Sequence, residues 1–231
     1  MLSIRDLTLH YKQSQVLHGV SLDAVAGKVT CVMGRNGVGK TSLLRAIAGI
    51  HHRSGGEMTF DGRNIDSPRP EALAKLGLGY VPQGREIFPL LTVRENLETG
   101  FACLPRNERK VPAEIFELFP VFKDMQQRRG GDLSGGQQQQ LAIGRALVTN
   151  PKLLLLDEPT EGIQPNIIQQ IGRVISYLRD QGRMAILLVE QYFDFAYDLA
   201  DNFVVLERGA VTLSGKKKSV TREDVLRRVS V

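Results

Sequence analysis

The sequence has few cysteines and no long apolar run. Its two cysteines, Cys31 and Cys103, are too few for a disulfide framework or a cysteine-ligated metal cluster, and their apolar neighbours predict reduced, buried thiols. The longest apolar runs, such as 153–156 and 185–189, are much shorter than the roughly 20 residues that span a bilayer. These absences exclude a disulfide-rich scaffold and predict a soluble protein.

Charge is only weakly patterned along the chain. Arg5 and Asp6 stand where a signal peptide needs apolar residues, so we expect no export and a cytoplasmic location. The net charge of +5 suits an anionic ligand, an anionic membrane surface or nucleic acid, and does not choose among them. The basic run 216–218 is typical of a solvated turn, and the arrangement of the four histidines predicts no metal site.

The first part of the chain is rich in strand signals. Short β-prone runs are separated by turn signals such as Gly27 and the Gly55-Gly56 pair. We predict strands at 2–10, 16–24, 28–33 and around 57–60.

The pattern then changes twice. From about residue 92 to 150 it is helical and punctuated by prolines, whereas apolar runs at 152–156 and 184–189 flank a helical pattern at 165–181. Continuous apolar strands that alternate with helices are typical of parallel strands buried on both faces. The sequence therefore predicts an α/β core with a helical insertion.

The segment 34–41, Gly-Arg-Asn-Gly-Val-Gly-Lys-Thr, matches the phosphate-binding loop pattern. It follows a predicted strand and leads into a predicted helix, so backbone amides converge on one anion site. We expect Lys40 to bind β- and γ-phosphate oxygens and the Thr41 hydroxyl to coordinate Mg²⁺. The nucleotide-binding candidates here are Gly34, Arg35, Asn36, Gly37, Gly39, Lys40, Thr41 and Ser42.

The apolar strand predicted at 152–156 leads directly into two carboxylates, Asp157 and Glu158. Buried strands do not normally end in this way unless a cation lies there. Asp157 suits the binding of Mg²⁺, and Glu158 suits a general base or a group that orients the attacking water.

The sequence Leu-Ser-Gly-Gly-Gln at 133–137 opens a predicted helix at 136–149, where free amides and the helix dipole again favour an anion. Together with the phosphate loop and the Leu-Leu-Leu-Leu-Asp-Glu-Pro run, it resembles the ATPase subunits of ATP-binding cassette (ABC) proteins over essentially the whole chain. The resemblance implies ATP and Mg²⁺ as cofactors and a dimer, in which this signature segment of one chain closes over ATP on the other. The signature candidates are Ser134, Gly135, Gly136 and Gln137.

The resemblance also implies a fold. It is a P-loop NTPase of the α/β class with a RecA-like core, an antiparallel β subdomain and a helical insertion subdomain. The single ABC ATPase domain would span 1–231, with the core and the antiparallel β strands at 1–83 and 150–231 and the helical signature subdomain at 90–149.

Other positions match the family one by one. Tyr11 matches the aromatic residue that stacks on adenine, with a core tyrosine as the alternative, and Gln83 matches the glutamine that contacts Mg²⁺ and the attacking water. Gln191 falls where most members have a histidine; we expect it to donate to the γ-phosphate, with a surface glutamine as the alternative. The segment 161–164 departs from the usual Ser-Ala-Leu-Asp loop, which puts the aspartate contact across the dimer in doubt.

Within the family, segments such as Asp-Glu-Pro-Thr-Glu-Gly-Ile-Gln-Pro resemble the importers of branched-chain amino acids and, among these, most closely the urea-import ATPases. The implied partners are a second ATPase subunit in a homo- or heterodimer, integral membrane permeases and, indirectly, an extracytoplasmic solute-binding protein, with no nucleic acid. The chain would lie on the inner face of the cell membrane. Because an ATPase subunit does not touch the solute, urea and branched-chain amino acids remain alternatives.

Two other classes of protein fit the motifs and the length of the sequence less well than a transport ATPase does. A cytosolic ABC ATPase acting on nucleic acid or a protein assembly usually has two cassettes or a long coiled-coil insertion, and a small-molecule P-loop kinase has no signature segment. The apolar residues of 87–91, around Pro89, predict either insertion core or a docking socket for the permease.

Overall fold

In residues 1–66 and 69–230, which the computed structural model describes, the strands form two sheets. Ser67, Pro68 and Val231, which belong to the predicted core segments, lie outside the described residues. The strands are β1 (Leu2–Tyr11), β2 (Ser14–Ala24), β3 (Val29–Met33), β4 (Gly55–Phe60), β5 (Arg63–Asn64), β6 (Leu78–Val81), β7 (Leu153–Asp157), β8 (Ala185–Glu190), β9 (Asn202–Glu207) and β10 (Ala210–Lys216).

Helices connect and cover the strands. Short 3₁₀ turns add to them, most densely between residues 99 and 132. The α-helices are α1 (Lys40–Ile47), α2 (Pro70–Leu76), α3 (Val93–Glu98), α4 (Ala113–Leu118), α5 (Gly135–Leu147), α6 (Pro165–Asp180), α7 (Phe193–Leu199) and α8 (Arg222–Ser230). Among the described helices, none combines the length and the apolar character that a membrane span requires.

The larger sheet has the strand order β10-β9-β3-β8-β7-β6. Strands β9, β3, β8, β7 and β6 run parallel to their neighbours, and β10 pairs antiparallel with β9. Every residue of β3, β7 and β8 is buried, as continuous apolar strands require. The carboxyl ends of β3, β8, β7 and β6 therefore meet at one edge of the sheet, where open α/β folds bind ligands.

Both faces of this sheet are covered. On one face α1 and the smaller antiparallel sheet, of order β2-β1-β4-β5, pack in a common apolar cluster. On the other face α5, α6 and the apolar side chains of the insertion form a second cluster. The loop edge of the larger sheet is thus held between two packed layers.

The structure confirms the α/β fold class and the apolar strands predicted at 28–33, 152–156 and 184–189. Helix α5 begins at Gly135, one residue earlier than predicted, because Ser134 caps it. The prediction of two buried thiols is wrong for Cys103, which is only partly buried. It lies in a 3₁₀ turn at Thr99–Cys103 in which no residue is fully buried.

The apolar loop before α3 is fixed by one buried side chain. Asn96 is fully buried and bonds to both backbone groups of Phe88, accepting from its amide at 2.8 Å and donating to its carbonyl at 2.9 Å. Its amide also donates to the carbonyls of Leu91 and Thr92. The side chain therefore satisfies backbone groups of a segment that has no regular secondary structure.

We expect Asn96→Ala to lower the free energy of unfolding by about 2 to 3 kcal/mol, because it leaves the Phe88 amide without its acceptor, removes one donor from each of three carbonyls and empties a fully buried position. Urea denaturation followed by circular dichroism measures the change. The matched control is Asn107→Ala at an exposed position, which should stay within about 0.5 kcal/mol of wild type. Equal stability of the two variants would show that Asn96 does not hold the loop.

Candidate active site

The phosphate loop leaves β3 in a conformation that requires glycine. Gly34 has φ +152°, and a Cβ at this position would lie 2.4 Å from the carbonyl oxygen of Leu206. Gly39, with φ +104°, comes directly before α1 and has no side chain to cap that helix. The amides of the first turn of α1 are therefore available to an anion.

Lys40 lies at the centre of the site and is only 4% exposed. Its ammonium donates to the carbonyl oxygens of Gly34 (2.8 Å) and Arg35 (3.0 Å). The same nitrogen lies 3.3 Å from Oε1 of Glu158, so two buried, opposite charges are paired. The contact joins the phosphate loop to the end of β7.

Glu158 turns into the site through a strained backbone. Its φ is +47°, an uncommon value for a residue other than glycine, and its amide donates to the carbonyl of Val189 at 2.9 Å. While Oε1 faces Lys40, Oε2 accepts a hydrogen bond from Nε2 of Gln191 at 3.0 Å. Both carboxylate oxygens are therefore held in place by donors from other segments.

Asp157 is buried beside the phosphate loop. Its Oδ1 accepts from the Thr41 hydroxyl at 3.1 Å, and its Oδ2 accepts from the Tyr80 hydroxyl at 3.3 Å. Burial, supported by the negative charge of Glu158, raises the pKa of Asp157 to about 6. Burial also raises the pKa of Tyr80, which keeps its hydroxyl protonated as a donor. Sequence reasoning missed Tyr80 because its partner Asp157 lies 77 residues away along the chain.

Gln83 reaches the same edge of the sheet from the end of β6. Its Nε2 donates at 3.0 Å to Oε2 of Glu161, which belongs to the divergent loop after β7. Arg85 lies next to it and donates to the carbonyl of Glu161. A Cβ built on Gly135 would lie 2.9 Å from Nη1 of Arg85, so this arginine also touches the start of α5. Glu161 and Arg85 thus belong to the surroundings of the site. The sequence marked Glu161 only as part of a divergent loop and did not single out Arg85.

A cavity of about 310 Å³ opens above the phosphate loop. It brings together most of the predicted residues, and only Val16 and Glu161 of its lining were not predicted. The lining residues are Val16, Asn36, Gly37, Gly39, Lys40, Thr41, Ser42, Gln83, Glu158, Glu161 and Gln191. Asn36 and Gln191 also line a neighbouring cavity of about 920 Å³ toward α8, to which Gly34 and Arg35 contribute as well.

Tyr11 ends β1 and is 38% exposed, so it is not a core tyrosine. Its ring stacks on His51 with the centroids 4.3 Å apart, and its hydroxyl lies 3.4 Å from Oγ of Ser42. The ring therefore stands beside the start of α1. Its stacking on adenine stays a prediction.

The signature segment does not reach this cavity, since none of its four candidate residues lines it. Ser134 and Gln137 form a capping box instead. Oε1 of Gln137 accepts from the backbone N–H of Ser134 at 2.9 Å, and Oγ of Ser134 accepts from the backbone N–H of Gln137 at 3.3 Å. The capping box fixes the start of α5. Within one chain, the signature segment and the phosphate loop remain separate.

The donor set near α1 has the chemistry of a magnesium site. In residues 1–66 and 69–230, no group of three or more His, Cys, Asp or Glu side chains is placed to hold a metal by itself. The Thr41 hydroxyl and the Asp157 carboxylate are hard oxygen ligands, and they lie together at the start of α1. These atoms fit a Mg²⁺ ion whose other ligands are phosphate oxygens and water.

A family model described as "ABC transporter" matches residues 17–161. The high-affinity branched-chain amino acid transport ATP-binding protein BraG of Pseudomonas aeruginosa is 39% identical over 214 residues, covering 92% of this chain and 91% of that protein. The probable branched-chain amino acid transport ATP-binding protein LivF of Archaeoglobus fulgidus is 36% identical over 216 residues, with coverage of 93% and 92%. Among solved structures, a dimeric ATP-binding cassette in a post-hydrolysis state with ADP and phosphate has a TM-score of 0.84 at 26% identity, covering 95% of this chain and 100% of that one.

We expect Asp157→Asn to gain stability relative to wild type as the pH rises from about 4 to 7. The pKa of Asp157 is about 6 in the folded chain and about 4 in an unfolded one, so the folded wild type binds this proton more tightly. Its free energy of unfolding therefore falls as the pH rises through this window, and asparagine has no proton to lose.

Urea unfolding in EDTA at several pH values across this window measures the difference between variant and wild type. The control is Asp198→Asn, the same replacement at an exposed position. If the difference for Asp157→Asn is independent of pH, the carboxyl of Asp157 does not titrate in the way that its burial indicates.

Proposed function

Because the chain belongs to the ABC transporter family and is an ATP-hydrolysing subunit, we propose that it powers an importer of branched-chain amino acids. The observation that carries this proposal is the similarity to BraG and LivF, which extends over more than nine-tenths of this chain and of each relative. Urea remains the second candidate solute, and it is supported by sequence motifs alone. The signature segment, absent from P-loop kinases, also supports an ABC ATPase over a small-molecule kinase.

The contacts of the site support a division of roles in hydrolysis. Lys40 and the amides of the phosphate loop would bind the β- and γ-phosphates. Glu158, with Oε1 beside Lys40 and Oε2 held by Gln191, would accept the proton of the attacking water or orient it. Thr41, Asp157 and Gln83 would hold Mg²⁺, which supplies positive charge against the phosphates.

The separation of the two anion-binding segments supports a dimer. The signature segment lies outside the cavity above the phosphate loop, so one chain provides half of each complete site. A second ATPase subunit, identical or related, would place its signature segment over ATP bound here. Such an arrangement makes ATP the bridge between the subunits.

An exposed apolar loop supports a membrane partner. Phe88 and Leu90 are 48% and 79% exposed, which contradicts the interpretation of this loop as insertion core at these two positions. Asn96 holds the loop from below, and the guanidinium of Arg145 lies 5.4 Å from the Phe88 ring centroid. We place the cytoplasmic face of the permease on this loop, with the solute-binding protein contacted only indirectly and with no nucleic acid involved.

We expect Glu158→Gln to bind ATP with wild-type affinity and to hydrolyse it at least about a hundredfold more slowly. An amide cannot accept the proton, and because Lys40 and Gln191 face different oxygens of Glu158, one of them would face the NH2 group of the variant. Steady-state ATPase assays, fluorescent-nucleotide titration and size-exclusion chromatography with ATP and Mg²⁺ measure turnover, affinity and dimerisation.

The variant should form a dimer that persists in ATP, because the bridging nucleotide is not consumed. Glu71→Gln, at an exposed position on α2, is the control and should match wild type. Unchanged turnover would remove Glu158 from the chemistry, and a chain that stays monomeric at saturating ATP would contradict the shared site.

We expect cells that lack this gene but keep the membrane partners to regain uptake of radiolabelled leucine when wild type is supplied, with no change in urea uptake. Phe88→Asp should not restore uptake, whereas the purified variant should keep its ATPase activity, because a charge on the docking loop prevents contact with the permease. Val25→Asp replaces another apolar residue, 54% exposed, and serves as the matched control.

If urea uptake is restored instead, the solute is urea. If neither leucine uptake nor urea uptake is restored, the importer proposal is contradicted. Full transport by Phe88→Asp would show that the loop is not the docking surface. Circular dichroism of the purified variant distinguishes a lost contact from a lost fold.

A further inference from the structure

Glu190 ends β8 and is a buried carboxylate that the proposed hydrolysis does not yet use. Only 1% of the residue is exposed, and it does not line the cavity above the phosphate loop. Its Oε1 accepts from the amide of Thr160 at 3.1 Å and from the Thr160 hydroxyl at 2.7 Å. Its Oε2 accepts from the amides of Gln191 at 2.9 Å and Tyr192 at 3.0 Å. One side chain therefore receives four hydrogen bonds.

The two oxygens of Glu190 serve two different loops. Thr160 belongs to the loop after β7, two residues beyond Glu158, whereas Gln191 and Tyr192 form the turn between β8 and α7. The side chain of Gln191 then reaches back to Oε2 of Glu158. Glu190 thus closes a ring of contacts that begins and ends at Glu158.

The geometry fits Glu190 in its ionised form, in which both oxygens only accept hydrogen bonds. Three of the four donors are backbone amides, which cannot accept, so a protonated carboxyl could direct its O–H only toward the Thr160 hydroxyl. Burial raises the pKa of Glu190, and the bonds from Thr160, Tyr192 and Gln191 act in the opposite direction. Such a group is retained inside a protein only where its hydrogen bonds offset the cost of desolvation.

We propose that Glu190 is a positioning residue for ATP hydrolysis, which ties the Thr160 loop to the Gln191 turn so that the Gln191 amide holds Glu158 against the attacking water. The inference rests on the proposed roles of Glu158 and Gln191 in hydrolysis. Because Glu190 stands outside the cavity, its effect belongs to turnover and not to nucleotide affinity.

The sharpest test replaces Glu190 by its isosteric amide. Glu190→Gln keeps the shape of the side chain but turns one acceptor oxygen into a donor, which faces the N–H groups of one of the two loops. We expect kcat of the purified full chain to fall about 10- to 100-fold, with the ATP dissociation constant within about threefold of wild type.

A double-mutant cycle with Gln191→Ala separates positioning from general damage. We expect Gln191→Ala alone to lose about 10- to 1000-fold in kcat. If Glu190 acts through Gln191, Glu190→Gln should cost less than about threefold more in the Gln191→Ala background. Thr160→Val, which removes one donor to Glu190, should also lower kcat, and Thr160→Ser, which keeps the hydroxyl, should restore it.

The outcomes separate the proposed role of Gln191 from that of Glu190. Wild-type turnover of Gln191→Ala would contradict the proposed role of Gln191 itself. A loss in Gln191→Ala combined with wild-type kcat in Glu190→Gln, or losses that multiply in the double variant, would overturn the role of Glu190. Should Glu190→Gln fail to fold, the Thr160 pair decides, and equal turnover of Thr160→Val and wild type would overturn the proposal.

Discussion

The site depends on the pairing of two buried charges, the ammonium of Lys40 and the carboxylate of Glu158, 3.3 Å apart and almost without solvent contact. A buried charge without its partner is strongly destabilising, so each of these side chains fixes the position of the other. The pair joins the phosphate loop after β3 to the end of β7, across the intervening strand β8. The second oxygen of Glu158 then fixes Gln191, at the end of β8. Three neighbouring strand ends are thereby held in one arrangement.

Much of this could be predicted from the sequence because the signals are local. The phosphate loop 34–41 needs glycines at particular positions, and the structure gives Gly34 a conformation and a close approach that exclude a side chain. Strands such as β7 are read from continuous apolar residues, and the two carboxylates that follow stand out against them. Motif, strand and helix agree with one another here, which is why the fold class and the centre of the site follow from the sequence.

The remainder depends on contacts between distant segments. The hydrogen bond between Tyr80 and Asp157 joins residues 77 positions apart, and the one between Thr160 and Glu190 joins residues 30 positions apart. No local sequence pattern predicts either bond. Glu190 ends an apolar strand, and the sequence does not single it out, whereas in the structure it is buried with four donors around it. The solute is a different case. Since an ATPase subunit does not touch it, no side chain of this site records the choice between a branched-chain amino acid and urea.

The loop that exposes Phe88 and Leu90 is irregular in backbone but is tied to Asn96 through three of its carbonyls and one amide. Its conformational entropy is therefore lost when the chain folds, and little remains to be lost when another surface meets it. A stiff apolar loop of this kind would transmit a displacement: if α3 shifted, the loop tied to its Asn96 would shift with it as one body instead of bending. The same stiffness leaves apolar side chains in water whenever the loop is uncovered, so an excess of this subunit over its partners would favour self-association.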